Sequence, residues 1–454
     1  MFVGRREELK AIMTVLNKKS GSVLVYGKRK VGKTTLLMEA LKSSKDAVVY
    51  YECIKSTLQD NINGFVSVLY KTKILPVQMG FSTFQEVFRY LNSLNKTFNI
   101  IIDEYPYLKQ FTKGEMVDSI FQTIIDNDIG NIRLFISGSH VGMMKDLLEE
   151  KNALYGRFSL TIKLKELNYR EAAAFYKDKS VYDKIAFYSV FGGSPFINEQ
   201  LDGKESLKKN IIGTVLNPLN AVYNYADNLL VSDLSSSVNA ERILSAVANG
   251  KKKYGEIEGA LGLNNNGLLS KQLKIMLDLD MVSKVYPINR ENDNKKVFYE
   301  TTDNLLRFWY AYVYRNKSAL QMLGAEAFYE NYIEKSLITF IAHRFEEIAR
   351  TFFSLQVKDG KHKGVYRIGT YYYDDSETKT NGEFDVVLQR KDNYDIYETK
   401  YYSEQLALKE MREEEKQIKA IKGIAVGKVG FISVHGFEEI SPEYDCICGE
   451  ELYE

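Results

Sequence analysis

The chain has 454 residues, 61 basic and 60 acidic side chains, and a formal net charge of +1. That length corresponds to about three domains, and a composition with 45% hydrophobic and 27% charged residues excludes wholesale disorder. Near-neutrality excludes a protein that coats nucleic acid by bulk charge, and three cysteines exclude a disulfide framework.

Four short apolar runs, residues 22–26, 47–51, 98–102 and 132–136, are continuous rather than alternating. They predict strands covered on both faces, hence a parallel sheet. Helical patterns such as 34–41 and 84–94 lie between them, the rhythm of an α/β domain. Beyond about residue 165 the strand runs fade. Helices are predicted over 168–177 and 182–189, and after the break at Gly192-Gly193-Ser194-Pro195 they resume to about residue 235. From Ala240 three short helices (241–248, 254–261, 268–279) precede two strands (281–286, 297–300). This is the winged helix-turn-helix order. Leu269, Leu273, Ile275, Met276 and Leu279 are the expected apolar face of the third helix. A long helical pattern then runs from Ala319 to Phe353. Strands at 383–389 and 394–401, a charged helix at 404–421 and a strand at 430–434 complete a second α/β unit.

The strand at 22–26 ends in Gly27-Lys28-Arg29-Lys30-Val31-Gly32-Lys33-Thr34, followed by Thr35. This is G-x-x-x-x-G-K-[ST] between a strand and a helix, where the glycines let backbone N–H groups curl around phosphate oxygens. Lys33 would reach the β- and γ-phosphates of ATP, and the Thr34 hydroxyl would ligate Mg²⁺. The strand at 98–102 ends in Asp103-Glu104: Asp103 would hold Mg²⁺, generally through water, and Glu104 would polarise the attacking water. Ser137 and Ser139, at the end of the next strand, are either γ-phosphate sensors or a plain strand-end turn.

Phe2-Val3-Gly4-Arg5-Arg6-Glu7-Glu8-Leu9 resembles the opening motif of the replication-initiator-like branch of prokaryotic AAA+ and STAND ATPases. The resemblance covers roughly residues 1–315. It takes in Leu154-Tyr155-Gly156-Arg157-Phe158, the Gly-Gly-x-Pro turn as a landmark of the lid, and the tract Asp303 to Tyr310. It implies that the segment holding Gly4 and Arg5 lies against the nucleotide's base. It implies that Arg157 is an arginine sensor or finger, against the plainer reading of a structural salt bridge. A homo-oligomer is a further expectation. Members commonly end in a domain of unknown function similar to restriction endonucleases.

The C-terminal residues allow that comparison. Asp385 is followed thirteen positions later by Glu398-Thr399-Lys400, and period-2 geometry puts Glu398 and Lys400 on one strand face. This resembles a PD-(D/E)XK nuclease core, in which Asp385, Glu398 and an upstream Glu346 (or Glu347) would bind metal, with Lys400 assisting the water. Gln405 is a supporting polar residue. The sequence has Gly-Glu-Phe-Asp where that motif expects Pro-Asp, and a solvated charged hairpin is the alternative.

The expected architecture is therefore α/β: a P-loop NTPase domain with a parallel sheet (1–165), a helical lid (166–235), a winged helix-turn-helix (236–318) and a restriction-endonuclease-like α/β domain (319–454). Lysines at 251–253, Lys271, Lys274, Lys295 and Lys296, with Ser270, Asn265 and Asn266, would meet DNA; a protein interface or ATPase lid is the competing reading. The C-terminal domain would also meet DNA. The alternative function is an ATP-gated regulator or interaction switch with an inactive nuclease-like scaffold. The charged N-terminus is unlike a signal peptide, and no apolar run reaches the roughly 20 residues of a membrane span, so a cytoplasmic protein without membrane contact is expected. Cys446 and Cys448 lack the partners of a zinc site, and the four histidines have no ligand spacing. Near-neutrality hides local charge: residues 1–60 hold 12 basic and 6 acidic side chains, and residues 401–454 the reverse, 6 and 12.

Overall fold

The computed structural model describes every residue except 1, 113, 234–238, 249, 251, 263–266, 292, 294, 295 and 376–379. Its contacts divide the chain into two compact units: Met1–Leu167 with Ser194–Phe196, and Asn168–Gly193 with Ile197–Glu454.

The first unit is built on β1 (Gly21–Tyr26), β2 (Ala47–Glu52), β3 (Phe98–Asp103), β4 (Ile132–Gly138) and β5 (Leu160–Lys163). All pair in parallel, in the order β2-β3-β4-β1-β5. β3 and β4 are buried along their whole length because helices cover both faces. On one face α1 (Arg6–Leu16) and α2 (Lys33–Leu41) pack Ile12, Leu36 and Leu37 against Val23, Val25, Ile101 and Phe135. On the other, α3 (Leu58–Lys71), α4 (Phe84–Ser93) and α5 (Gly114–Thr123) pack Phe65, Phe88 and Phe121 against Ile100, Ile102 and Leu134. The helix α6 (Val141–Asp146) follows β4. The four predicted apolar runs are β1 to β4; the fifth strand, partly exposed, went unpredicted. This order leaves β4 between β1 and β3. The carboxyl ends of these three strands therefore converge on one crevice edge, where ligands bind in open α/β sheets.

The second unit begins with α7 (Tyr169–Ala172) and α8 (Val181–Phe191); α9 (Pro195–Asn198), α10 (Leu207–Gly213) and α11 (Ala221–Asp233) follow in the chain. An Asn168–Glu171 capping box starts α7, and Ser180 caps α8. Then come α12 (Ala240–Val247), β6 (Lys252–Lys253), α13 (Tyr254–Leu261), α14 (Leu268–Asp278), β7 (Val282–Val285) and β8 (Phe298–Thr301). The strands form an antiparallel sheet, β6-β8-β7. The buried stripe of α14 is Leu269, Gln272, Leu273 and Met276, spaced i, i+3, i+4, i+7. Ile275, predicted to be in that face, lies off the stripe and is 37% exposed.

α15 (Asn304–Phe308), α16 (Lys317–Leu323), α17 (Ala325–Tyr332) and α18 (Glu334–Lys358) lead to a five-stranded sheet. The predicted continuous helix is broken at Gly324, whose φ is 76°. The sheet contains β9 (Arg367–Asp375), β10 (Thr380–Gln389), β11 (Tyr394–Lys400), β12 (Val426–Ser433) and β13 (Asp445–Cys448), in the order β13-β12-β11-β10-β9. β9, β10 and β11 are antiparallel; β11, β12 and β13 are parallel, with α19 (Leu408–Ala420) as the crossover from β11 to β12. Edge strand β9 is covered by the β7–β8 connection: Ile288 N donates to Thr370 O at 2.7 Å, and Asn289 bonds both to Tyr372 O (2.7 Å) and from Tyr372 N (3.1 Å). Among the described residues no helix is long and apolar enough to cross a membrane.

Candidate functional site

The loop from Gly27 to Thr34 joins β1 to α2 at the crevice edge. Gly27 is required by close approach: a Cβ there would stand 2.1 Å from Leu164 O, at the exit of β5. Gly32 has φ 92°, a left-handed conformation that favours glycine, and caps α2. Lys33 is 6% exposed and its Nζ donates to Gly27 O and Lys28 O, both at 3.0 Å, so the ammonium sits across the mouth of the loop. Val31 is buried and Thr35 exposed. Arg29 donates to Tyr107 OH at 3.3 Å. Lys30 has φ 66° and lies 4.4 Å from the Phe196 ring centroid, and Ser194 Oγ donates to Lys30 O at 3.1 Å. Ser194, from the Gly-Gly-Ser-Pro landmark, and Phe196, which follows it, thus brace the loop. Forcing a methyl into it should be costly. Gly27→Ala is expected to lose about 1–3 kcal/mol in thermal unfolding and to lose nucleotide affinity with it.

Asp103 lies beneath the loop, 3% exposed. Its Oδ2 accepts from Thr34 Oγ1 at 2.6 Å and Tyr50 OH at 3.0 Å, and its Oδ1 accepts from Ser137 Oγ and from Glu104 N at 3.0 Å. Burial, then the Asp103 charge, pushes the Tyr50 phenol well above its ordinary range, so it stays a donor. Glu104 adopts φ 50°, uncommon for a non-glycine residue, and its Oε2 accepts from Ser139 Oγ (2.8 Å) and Ser139 N (3.2 Å). The two serines therefore each hold one acidic residue. Tyr50 was missed by sequence reasoning; its position on β2, adjacent to β3, was the available signal.

The donor set suits a nucleotide with a hard cation. A buried ammonium and a helix N-terminus face one way, and a hydroxyl–carboxylate pair of oxygens lies beside them.

Arg5 and Arg157 are both held by contacts within the chain. Arg5 is 5% exposed, with φ 64°, and its guanidinium donates to Val31 O (3.1 Å) and Lys165 O (2.5 Å). It is a positioning residue that clamps the loop to the β5 exit; Gly4, with φ 66°, sets the turn before it. Arg157 is not a sensor of its own chain's loop. Its carbonyl accepts from Ser22 Oγ at the amino end of β1, the far end from the phosphate loop, and its Nε donates to both oxygens of Asp126 at 3.1 and 3.0 Å.

The C-terminal sheet holds a second polar cluster. β10 and β11 pair as far as Val386 opposite Tyr397, and β10 carries a register shift between Phe384 and Val387, beside which Asp385 acts on Glu398 through its charge. α18 is tied there by Arg350 Nη1 donating to Asp385 O at 2.7 Å. Burial, then Glu414, raises Glu398 from 4.5 to about 7; Lys400 opposes this, while Asp385 and Glu346 add to it. A cavity of about 360 Å³ opens beside Glu398 and Glu414. Glu414, on α19, was missed: it takes Lys400, Nζ to Oε1 at 2.5 Å. Burial, the largest single influence, works against the Lys400 charge, but the Glu414 bond together with the charges of Glu414 and Glu398 raises the lysine. Glu346 pairs with His343 at 3.3 Å and Glu347 with Arg344 at 2.9 Å. Glu346, Asp385 and Glu398 share one electrostatic neighbourhood. Yet among the described residues no group of three or more His, Cys, Asp or Glu is placed to hold a metal. Asp385 and Glu346 both act on Glu398 through their charges, and Glu346 pairs with His343.

On α14, Ser270, Lys271 and Lys274 are exposed. Lys296 is not on a free wing: it lies 4.0 Å from the Tyr372 ring centroid and 3.7 Å from Asp374. Lys253 is likewise over Phe298 and Tyr372. Lys251, Asn265, Asn266 and Lys295 lie outside the described residues.

Residues 2–200 match the sequence model of an ATPase domain predominantly from Archaea. The parallel sheet and the phosphate loop within that span have the fold of P-loop ATPases. Residues 309–418 match a model described as archaeal and bacterial proteins of unknown function. An uncharacterized protein of Methanocaldococcus jannaschii is 28% identical over 361 residues, 78% of this chain and 77% of its own length. The Walker-type ATPase of Pyrococcus abyssi shares the fold, with a TM-score of 0.52 and 18% identity over 68% of this chain and 96% of its own.

Proposed function

We propose that the protein is a Mg²⁺-dependent ATPase that works in the cytoplasm as a nucleotide-driven switch on DNA. The carrying observation is the 2.6 Å hydrogen bond from Thr34 to Asp103, directly behind the buried Lys33. In this reading the loop N–H groups of residues 27–34 and the Lys33 ammonium bind the phosphates. Asp103 and Thr34 hold the cation, which supplies charge neutralisation at the phosphates when bound. Ser139 orients Glu104 toward its role with water, and Ser194 with Phe196 ties the landmark turn to the loop whose shape the nucleotide sets. Homo-oligomers fit this reading, with Arg157 available only to a second copy.

The DNA surface, in this reading, is the exposed face of α14 in a winged-helix module, because the wing is engaged on β9. Lys271 and Lys274 are the phosphate contacts. The test is a salt titration of duplex binding with and without ATP. The slope of log affinity against log salt should fall by about two on replacing both lysines by alanine. An unchanged slope would remove DNA from the function. A second reading is favoured by the Lys400–Glu414 pair: the C-terminal sheet is a PD-(D/E)XK-like scaffold kept for interaction rather than cleavage, and the protein is an ATP-gated regulator.

A further inference from the structure

The second unit contains a cavity of about 400 Å³ that the ATPase reading does not use. It lies between α18 and the segment that follows α15, and its lining includes Arg307, Arg344, His343, Tyr312, Tyr332 and Phe340 but, among the described residues, no Asp or Glu. Arg307 is 2% exposed and Arg344 6%. Buried guanidiniums are ordinarily matched donor by donor. Here Arg307 Nη2 is engaged with Thr301 O and Glu300, yet Nε and Nη1 have no hydrogen-bond partner among the described residues. Leaving donors of a charged group unmet costs more than leaving those of a neutral one.

Arg344 pairs on its far side with Glu347 at 2.9 Å. Burial, then the charge of Arg307, pushes Arg344 down to about 10, so Arg344 stays cationic at neutral pH and feels a repulsion that Glu347, Glu300 and Glu346 offset in part. Tyr312 OH and Ser336 Oγ, 3.1 Å apart, add hydroxyls to the same wall. The wall is built on a π-helical turn, Trp309–Val313, a local irregularity found often at functional sites.

We propose that this cavity binds a small phosphate monoester, its phosphate between Arg307 and Arg344 and its organic part against the Tyr312, Tyr332 and Phe340 rings. A dianion relieves the repulsion and meets the unpartnered donors, and guanidinium is the cation best suited to phosphate. The volume lies in the small-ligand range, larger than a bare phosphate needs, and the aromatic wall favours an apolar or planar substituent. The site is independent of the nucleotide loop.

The test uses full-length protein carrying Lys33→Ala, so that the loop does not report, with inorganic phosphate and phenyl phosphate as probes in thermal unfolding and calorimetry. Phenyl phosphate should raise the unfolding temperature saturably and bind at least tenfold more tightly than inorganic phosphate. Arg344→Met should abolish that response while unfolding no lower than its parent in phosphate-free buffer, because the repulsion is gone. Arg307 also anchors Thr301, so the second variant is Thr339→Trp, which fills the cavity and leaves both arginines. It too should lose the response. An equal response in either variant, or none in the parent, overturns the proposal.

Discussion

Lys33→Ala protein should turn over ATP about 10²–10³-fold more slowly than wild type while unfolding within about 5 °C of it. The two halves of that result come from different parts of the geometry. Lys33 contributes little to the core: its Nζ bonds Gly27 O and Lys28 O, and both carbonyls belong to a loop already fixed by Arg5 and Ser194. Its value lies in the charge it holds at 6% exposure, where it would stabilise a transferring phosphoryl group with little solvent screening. A steady-state ATPase assay beside a melting curve measures both. Unchanged turnover would remove the phosphate-site assignment. A collapse in stability would show instead that the lysine is a structural strut.

The sequence made the centre of the first unit readable because its strands are buried on both faces. A run such as Asn99-Ile100-Ile101-Ile102 has few alternatives, and the glycine spacing at 27–34 demands a strand before it and a helix after it. What it hid is physically different in kind. β5 is a four-residue, partly exposed strand at a sheet edge, so its composition carries little signal. Lys296 was legible as a basic residue, but not as one laid on Tyr372, because a contact between residues 76 positions apart has no local signature. Glu414 sits in the run Glu413-Glu414-Glu415, and only the placement of α19 decides which of the three meets Lys400. Arg307 was readable as part of a familiar tract, but its two unmet donors appear only when Thr301, Glu300 and α18 close around it.

Glu398→Gln should stabilise the metal-free protein at pH 8 by up to about 3 kcal/mol, the largest stability gain expected from any single C-terminal change. In the folded chain the Glu398 carboxyl is raised from 4.5 to about 7, chiefly by burial and then by Glu414. The folded state therefore holds this proton more tightly than the unfolded state. Below the unfolded value of 4.5 both states are protonated and nothing is lost. As pH rises from 4.5 to about 7, wild-type stability falls, and above about 7 the cost is constant. The amide carries no charge, so the variant should match wild type at low pH and pull ahead across that window. Unfolding followed in EDTA between pH 4 and 8 tests the sign, and curves that stay parallel would show that Glu398 titrates normally. Repeating the series with Mg²⁺ separates the two readings of the C-terminal sheet. If Asp385 and Glu398 hold a cation, Mg²⁺ raises wild-type stability at pH 8 and leaves the variant unmoved. If the sheet is a scaffold, with Lys400 committed to Glu414, Mg²⁺ moves neither, and no Mg²⁺-dependent nicking of DNA accompanies it.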